Sequence, residues 1–400
     1  MADTSSFLNK ARLVDLLKRE RLDAIVATLP ENVTYSSGYW ALSQWIRRGP
    51  QSYVLLPAAD LDASCIIAST SLLDLLADQD IWVKNVRRYG YFQADRANAP
   101  LNALDRRQAE LYDLPDDKGA IESLVAAVRA AGLAKGRLAV DELGLLPGHW
   151  ERLRDELPEA ELVPGAQLMR RIRAVKTEAE IDRLREAARV AERSIQAALR
   201  VAKAGATELD LARAFHAETV TGDAFPVLGC IGFGTRSAMP NVQPADVALE
   251  EGQVIRFDVG GRYHHYRADI ARIAVLGEAD ARTRKYYGAL SAGVQRVLEM
   301  VKPGVRTADL FNAAVETVRR EGIPHYSRSH VGHGIGIDGY DLPDLTPGSD
   351  HVVEEGMVMC VETPYYEVGW CGLQREDTIV IRRDGPESFM TLSGDLMTVS

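Results

Sequence analysis

A weak internal repeat at one constant offset narrows what this chain can fold into more than any other feature. Lys203, Gly205, Asp210 and Leu211 recur 99 residues later as Lys302, Gly304, Asp309 and Leu310, and Ile195–Gln196 recurs as Val294–Gln295. In both copies an apolar helical pattern ends at a Lys-x-Gly stop, and a second helix begins after a short turn. Two amphipathic helices can resemble each other by chance. A single offset held across both helices and the turn points instead to duplication. Two related halves of about 100 residues place a ligand site at their interface, where pockets preferentially lie.

The repeat occupies only the second part of 400 residues, a length beyond that at which one hydrophobic core stops growing. The first part alternates: a helical pattern at residues 13–21, strand patterns at 23–27, 51–56 and 63–68, a helix at 121–131 and a strand at 137–140. That order predicts an α/β domain. From Arg170 to Ala202 the texture becomes one long helical pattern rich in Ala, Arg, Glu and Leu. The boundary falls in residues 163–168, just before it, which predicts domains of residues 1–165 and 166–400.

Apolar residues at 46% and charged residues at 26% give ordinary globular composition and exclude collagen, coiled coil and disorder. The net charge of −10 argues against broad contact with nucleic acid or anionic lipid, both of which need a basic face. The four cysteines, Cys65, Cys230, Cys360 and Cys371, lack the spacing of a zinc or redox site and the density of a disulfide scaffold. Residues 1–21 read as an amphipathic helix without a signal-peptide apolar core, and no stretch approaches the roughly 18 apolar residues of a membrane span. The expectation is a soluble cytoplasmic protein with no nucleic-acid or membrane partner.

Chemistry gathers in the second part. Residues 253–275 read as two strands joined around Gly260–Gly261, and both Asp258 and Asp269 fall in the strand runs. A carboxylate in an apolar strand is costly to bury unless it is paired or bound to metal. Arg256, Arg267 and Arg272 are the arginines that could supply a salt bridge instead. His333 lies in Gly332-His-Gly-Ile-Gly336, where the glycines leave the imidazole projecting into free space. Glu362 closes the apolar run 357–361, and Glu376 opens the strand pattern that runs to Ile381. Four carboxylates close together repel, and two divalent cations balance their charge. Oxygen ligands with one imidazole suit Mn²⁺, Co²⁺, Fe²⁺ or Zn²⁺, and Mn²⁺ is preferred here.

This order of residues resembles the M24 "pita-bread" metallopeptidases: methionine aminopeptidase, aminopeptidase P and prolidase. The order is Asp258, Asp269 eleven residues on, His333 in Gly-His-Gly-Ile-Gly, Glu362 in Glu-Thr-Pro and Glu376 in Glu-Asp-Thr. The resemblance covers about residues 170–381. The first 165 residues look like the N-terminal domain of aminopeptidase P, prolidase and creatinase, which methionine aminopeptidases lack. The resemblance implies an α/β N-terminal domain followed by an α+β pita-bread catalytic domain with a pseudo-twofold repeat. It also implies a homodimer. Asp258 would chelate one metal, His333 and Glu362 the other, and Asp269 and Glu376 would bridge them. A bridging hydroxide would be the nucleophile and Glu362 the proton shuttle. The step of fourteen residues from Glu362 to Glu376 looks like the prolidase branch, which implies hydrolysis of Xaa-Pro dipeptides.

Three positions depart from the family pattern. Two accessory histidines that contact substrate are replaced by Asn241 and Tyr340, both of which can still donate hydrogen bonds to a developing oxyanion. His330 could also stand in. The arginine that helps hold a substrate carboxylate is Gln374 here, and strand alternation points the adjacent Arg375 to the other face. Arg47 and Arg48 could supply that cation, in this chain or in a partner's site. These changes keep open an aminopeptidase P-type cleavage of longer Xaa-Pro peptides. They also admit a small non-peptide substrate, as in creatinase-, ectoine hydrolase- or dimethylsulfoniopropionate lyase-like relatives. A catalytically dead binding module of this fold is expected to have lost ligands, and none is lost.

Overall fold

The structure is a computed structural model that describes residues 7–45 and 49–400. The chain divides into two compact units, residues 1–173 and 174–400. Among the described residues no helix is long and apolar enough to cross a membrane.

The first unit is built on a seven-stranded mixed sheet. Its strands are β1 (Ala24–Ala27), β2 (Tyr53–Pro57), β3 (Cys65–Ser69), β4 (Asn85–Tyr89), β5 (Asp116–Asp117), β6 (Arg137–Val140) and β7 (Glu161–Pro164), in the order β5-β4-β3-β2-β1-β6-β7. The central strands β1, β2 and β3 are buried along their whole length. This explains why they read as continuous apolar runs rather than alternating ones.

The helical pattern from Arg170 onward is broken in the structure. One helix, Ala166–Arg173, ends in the first unit, and Glu178–Val201 begins the second. Thr177 causes the break: its hydroxyl accepts from the Glu180 N–H while its own N–H donates to the Glu180 carboxylate.

The second unit carries a ten-stranded sheet whose core strands are β8 (Ala224–Phe233), β9 (Val254–Tyr263), β10 (Tyr266–Arg267), β11 (Ile270–Leu276), β12 (Gly332–Gly334), β13 (Asp341–Asp344) and β14 (Val358–Glu362). A short hairpin, β15 (Tyr365–Tyr366) and β16 (Gly372–Leu373), then leads into β17 (Glu376–Arg382). The helix pairs Glu178–Val201 with Glu208–Thr221, and Ala281–Met300 with Thr307–Glu321, pack beside this sheet. Two apolar clusters result, one for each helix pair.

Equivalent backbone hydrogen bonds define the repeat. Gly205 N donates to Leu249 O and Gly304 N to Val353 O; Glu208 N donates to Val247 O and Thr307 N to His351 O. The helical partners stay 99 residues apart and the strand partners 104. At that second offset β9 superimposes on β14, starting from Val254 and Val358, so Asp258 and Glu362 occupy equivalent positions.

One expectation fails in detail. β9 does not end at Gly260–Gly261 but runs through them, and the hairpin turns at His264–His265, both at positive φ (42° and 76°). A Cβ on Gly260 would sit 1.8 Å from the Ala268 carbonyl oxygen. The glycine therefore serves close strand passage, and the two histidines take the turn.

Candidate metal centre

The sheet register brings the five expected ligands together. β9 carries Asp258 opposite Ala271 of β11, and Ala271 also faces Glu376 of β17. Glu376 in turn faces Glu362 at the end of β14, and His333 of β12 faces Cys360 of the same strand. Asp269 stands just before β11. All five line one cavity of ≈ 250 Å³. Asn241, Tyr340, His330 and Gln374 line it as well. Arg47 and Arg48 lie outside the described residues.

The imidazole does not project into free space as expected. His333 is 3% exposed, its ring 4.2 Å from that of Tyr340. A Cβ on Gly334 would fall 2.1 Å from the Leu342 carbonyl oxygen, so glycine is what lets β12 lie this tightly against its neighbour. His333 Nδ1 donates to the Gly334 carbonyl at 2.9 Å, which leaves the Nε2 lone pair toward Asp269 and Glu376, each 3.9 Å away. Burial holds this imidazole below its ordinary pKa and therefore neutral.

Asp258 does have an arginine partner: Arg256 Nη1 lies 3.0 Å from its Oδ2. The other two arginines near the motif go elsewhere, Arg272 to Asp377 at 2.8 Å and Arg267 Nε to the Ile337 carbonyl. Asp269 has no arginine within 4.0 Å among the described residues, and its Oδ1 is buried without a hydrogen-bond donor, as is Glu376 Oε1. Burial, then mutual repulsion, pushes Asp269 and Glu376 well above the usual carboxylate range. Burial raises Asp258 to about 6 in spite of Arg256. Glu362 goes the other way. Burial would raise it too, but the His330 hydrogen bond, Nε2 to Oε1 at 3.0 Å, and nearby positive charge hold it below its ordinary value.

Buried carboxylate oxygens without donors, facing a cavity, are acceptors that a cation would satisfy. Ligand atoms of Asp258, Asp269 and Glu376 lie within 4.8 Å of one another, and so do those of His333, Cys360 and Glu376. Glu376 belongs to both groups. This donor set fits hard or borderline divalent ions.

Three side chains here lacked a sequence signal or went unread. Cys360 lies beside the centre, but burial drives its thiol well above the ordinary range, and it donates to the Asp269 carbonyl at 3.5 Å as a neutral group. Arg328 and Tyr366 also line the cavity. Gln374 is 2% exposed and its amide is fully engaged. Nε2 donates to Glu362 and Glu376, and Oε1 accepts from Arg256 and the Tyr366 hydroxyl. Arg375 points to the opposite face, as alternation requires, and pairs with Asp377.

Comparison with known proteins agrees with this geometry. Residues 10–175 match the Creatinase/Prolidase N-terminal domain, and residues 182–383 match metallopeptidase family M24. An Xaa-Pro dipeptidase of Pyrococcus furiosus is 28% identical over 228 residues, 56% of this chain and 66% of that protein. One from Lactobacillus delbrueckii subsp. lactis is 26% identical over 264 residues, 64% of this chain and 71% of that protein. Among solved structures, an Xaa-Pro dipeptidase from Bacillus anthracis shares the fold with a TM-score of 0.78 at 21% identity, covering 98% of this chain and 99% of that one. An X-Pro aminopeptidase from Thermotoga maritima does so at 0.75 and 22%, with the same coverage. With its carboxylates and imidazole set in the matched region, the chain belongs to metallopeptidase family M24.

Proposed function

We propose that this protein is an Xaa-Pro dipeptidase that uses two divalent cations, manganese preferred, held by Asp258, Asp269, His333, Glu362 and Glu376. The observation that carries the reading is the cavity of ≈ 250 Å³ with carboxylate oxygens that lack donors. The relatives named above supply the Xaa-Pro specificity. Bound divalent cations would supply the Lewis acidity that polarises a carbonyl and acidifies water.

The residues of the chain do the rest. Glu362, ionised and hydrogen-bonded to His330, accepts a proton from the attacking water and delivers it to the leaving amine. Asn241 and Tyr340 stand on the cavity wall as neutral donors toward a developing oxyanion; partial desolvation and the nearby carboxylates hold the Tyr340 phenol above its ordinary pKa. Gln374 orients Glu362 and Glu376. A cytoplasmic homodimer belongs to the same proposal. All four cysteines are free and buried, which suits a reducing compartment.

A second reading, hydrolysis or lysis of a small non-peptide metabolite, rests on Asn241 and Tyr340 on the cavity wall, where the resemblance leads one to expect histidines. One experiment separates the readings: strip the protein with chelator, restore Mn²⁺, and assay Ala-Pro, Ala-Pro-Ala and creatine. Metal-dependent release of proline from Ala-Pro is expected. Tripeptide cleavage alone would move the assignment to aminopeptidase P-type activity, and creatine cleavage alone to the metabolite reading. Activity on Ala-Pro that survives metal removal would sink the proposal.

A further inference from the structure

Two kinds of unpartnered group line the cavity. Carboxylate oxygens of Asp269 and Glu376 lack donors. Beside them a donor lacks an acceptor. Arg328 lines the cavity close to Glu362, and its Nε is buried without a hydrogen-bond partner. Among the described residues no carboxylate lies within ion-pair distance of it. A buried donor without an acceptor is costly unless a ligand brings one.

The other cationic groups nearby are committed. Arg256 spends its guanidinium on Asp258, Gln374 and the carbonyls of Met239 and Pro240. His330 faces Glu362 with one nitrogen and Ser329 with the other. Arg328 is also held in place: its guanidinium lies 5.6 Å from the centroid of the Tyr366 ring, over which Arg256 lies at 5.2 Å, and the Tyr366 hydroxyl is tied to Gln374. A guanidinium oriented by an aromatic ring presents its fork to a planar anion at little entropic cost.

We propose that Arg328 binds the free C-terminal carboxylate of the substrate and so selects dipeptides over longer Xaa-Pro peptides. The assignment rests on the Xaa-Pro reading and deepens it. A dipeptide offers its amide carbonyl and its terminal carboxylate a few bonds apart, so both can lie in the one cavity that the carboxylates and Arg328 line. A longer peptide carries its carboxylate elsewhere and leaves a neutral amide against Arg328.

The test uses the Mn²⁺-loaded full chain with Ala-Pro and its C-terminal amide, Ala-Pro-NH₂. Arg328→Met should raise KM for Ala-Pro roughly 30-fold or more, the size expected when one partner of a desolvated charge pair is removed. Its kcat/KM for Ala-Pro-NH₂ should stay near that of the unsubstituted enzyme, as should bound manganese. Arg328→Lys should fall between the two for Ala-Pro, because a point charge replaces the fork; it carries the test if the methionine variant does not fold. An unchanged KM for Ala-Pro, or an equal loss on both substrates, overturns the role of Arg328 alone. If the unsubstituted enzyme hydrolyses neither substrate, the Xaa-Pro reading fails and this inference falls with it.

Discussion

Replacing Gln374 by Leu tests whether this side chain serves the metal centre or the substrate. The change nearly conserves volume and removes four hydrogen bonds: two donated to Glu362 and Glu376 at 3.2 and 3.3 Å, and two accepted at 3.1 Å from Arg256 and Tyr366. Hydrogen bonds to charged groups contribute about 1.5–3 kcal/mol each, and these are long, so the two donated bonds total about 3 kcal/mol. Bound cations neutralise the same oxygens and recover part of that. What remains is lost orientation of two ligands, and outer partners of metal ligands are worth about 10–100-fold in affinity, or about 1.4–2.8 kcal/mol. Titration calorimetry of Mn²⁺ into chelator-stripped protein should therefore show Kd weakened by about that factor at unchanged stoichiometry. An unchanged Kd refutes the reasoning. If KM for dipeptide rises while manganese affinity holds, Gln374 touches substrate, the role its place in the family pattern suggests.

Other substitutions probe other parts of the unit. Glu362→Gln should lower kcat by roughly two orders of magnitude or more with manganese still bound; near-normal turnover would remove Glu362 as the proton carrier. Arg256 is fully buried, and Arg256→Met should destabilise the second unit by about 3–5 kcal/mol in urea unfolding, with Asp258→Asn added on top recovering part of the loss. A change below about 1 kcal/mol would mean that Asp258 does not depend on this pair. Glu180 is buried, and burial outweighs Lys176 and its own hydrogen bonds to raise its pKa from 4.5 to about 7. The folded state then holds a proton that the unfolded chain has released, so this stabilisation is complete below pH 4.5 and lost as pH rises through about 7. Relative to Glu180→Gln, the protein should lose about 3 kcal/mol over that range, and parallel stability curves would exclude it.

How legible these features were depended on what physics each one used. Asp258 and Glu362 could be read because a carboxylate ending or interrupting an apolar strand has few explanations. The break at Thr177 was written as Thr-x-x-Glu but hidden by apolar periodicity that continues on both sides. Gly260–Gly261 misled because glycine marks turns and close approaches alike; only the Ala268 carbonyl distinguishes them, and it comes from pairing no local pattern states. His264 and His265 carry no turn signal, and the hairpin imposes their positive φ. Cys360 was accessible: the period of two that turned Arg375 away and Gln374 inward also turns Cys360 inward from Glu362 and Arg256 inward from Asp258. Arg328 and Tyr326 sit in a loop, where burial and partners cannot be read before the chain has folded.

The repeat makes the chemistry of the centre asymmetric in a specific way. Asp258 and Glu362 are equivalent by backbone, and so are the residues two before them, Arg256 and Cys360. In the first half that position is a guanidinium, which pairs with Asp258 at 3.0 Å. In the second it is a buried neutral thiol, and Glu362 takes its hydrogen bond from His330 instead. Glu362, the proposed proton carrier, is thus the member of the pair that has no buried guanidinium two residues before it. The strand pairings sharpen the division. Gly232 of β8 faces Arg256 as His333 of β12 faces Cys360, so the duplicated position is an imidazole only on the Glu362 side. An arginine at position 360 would put a second permanent cation against the carboxylate cluster while Arg256 kept the first beside Asp258.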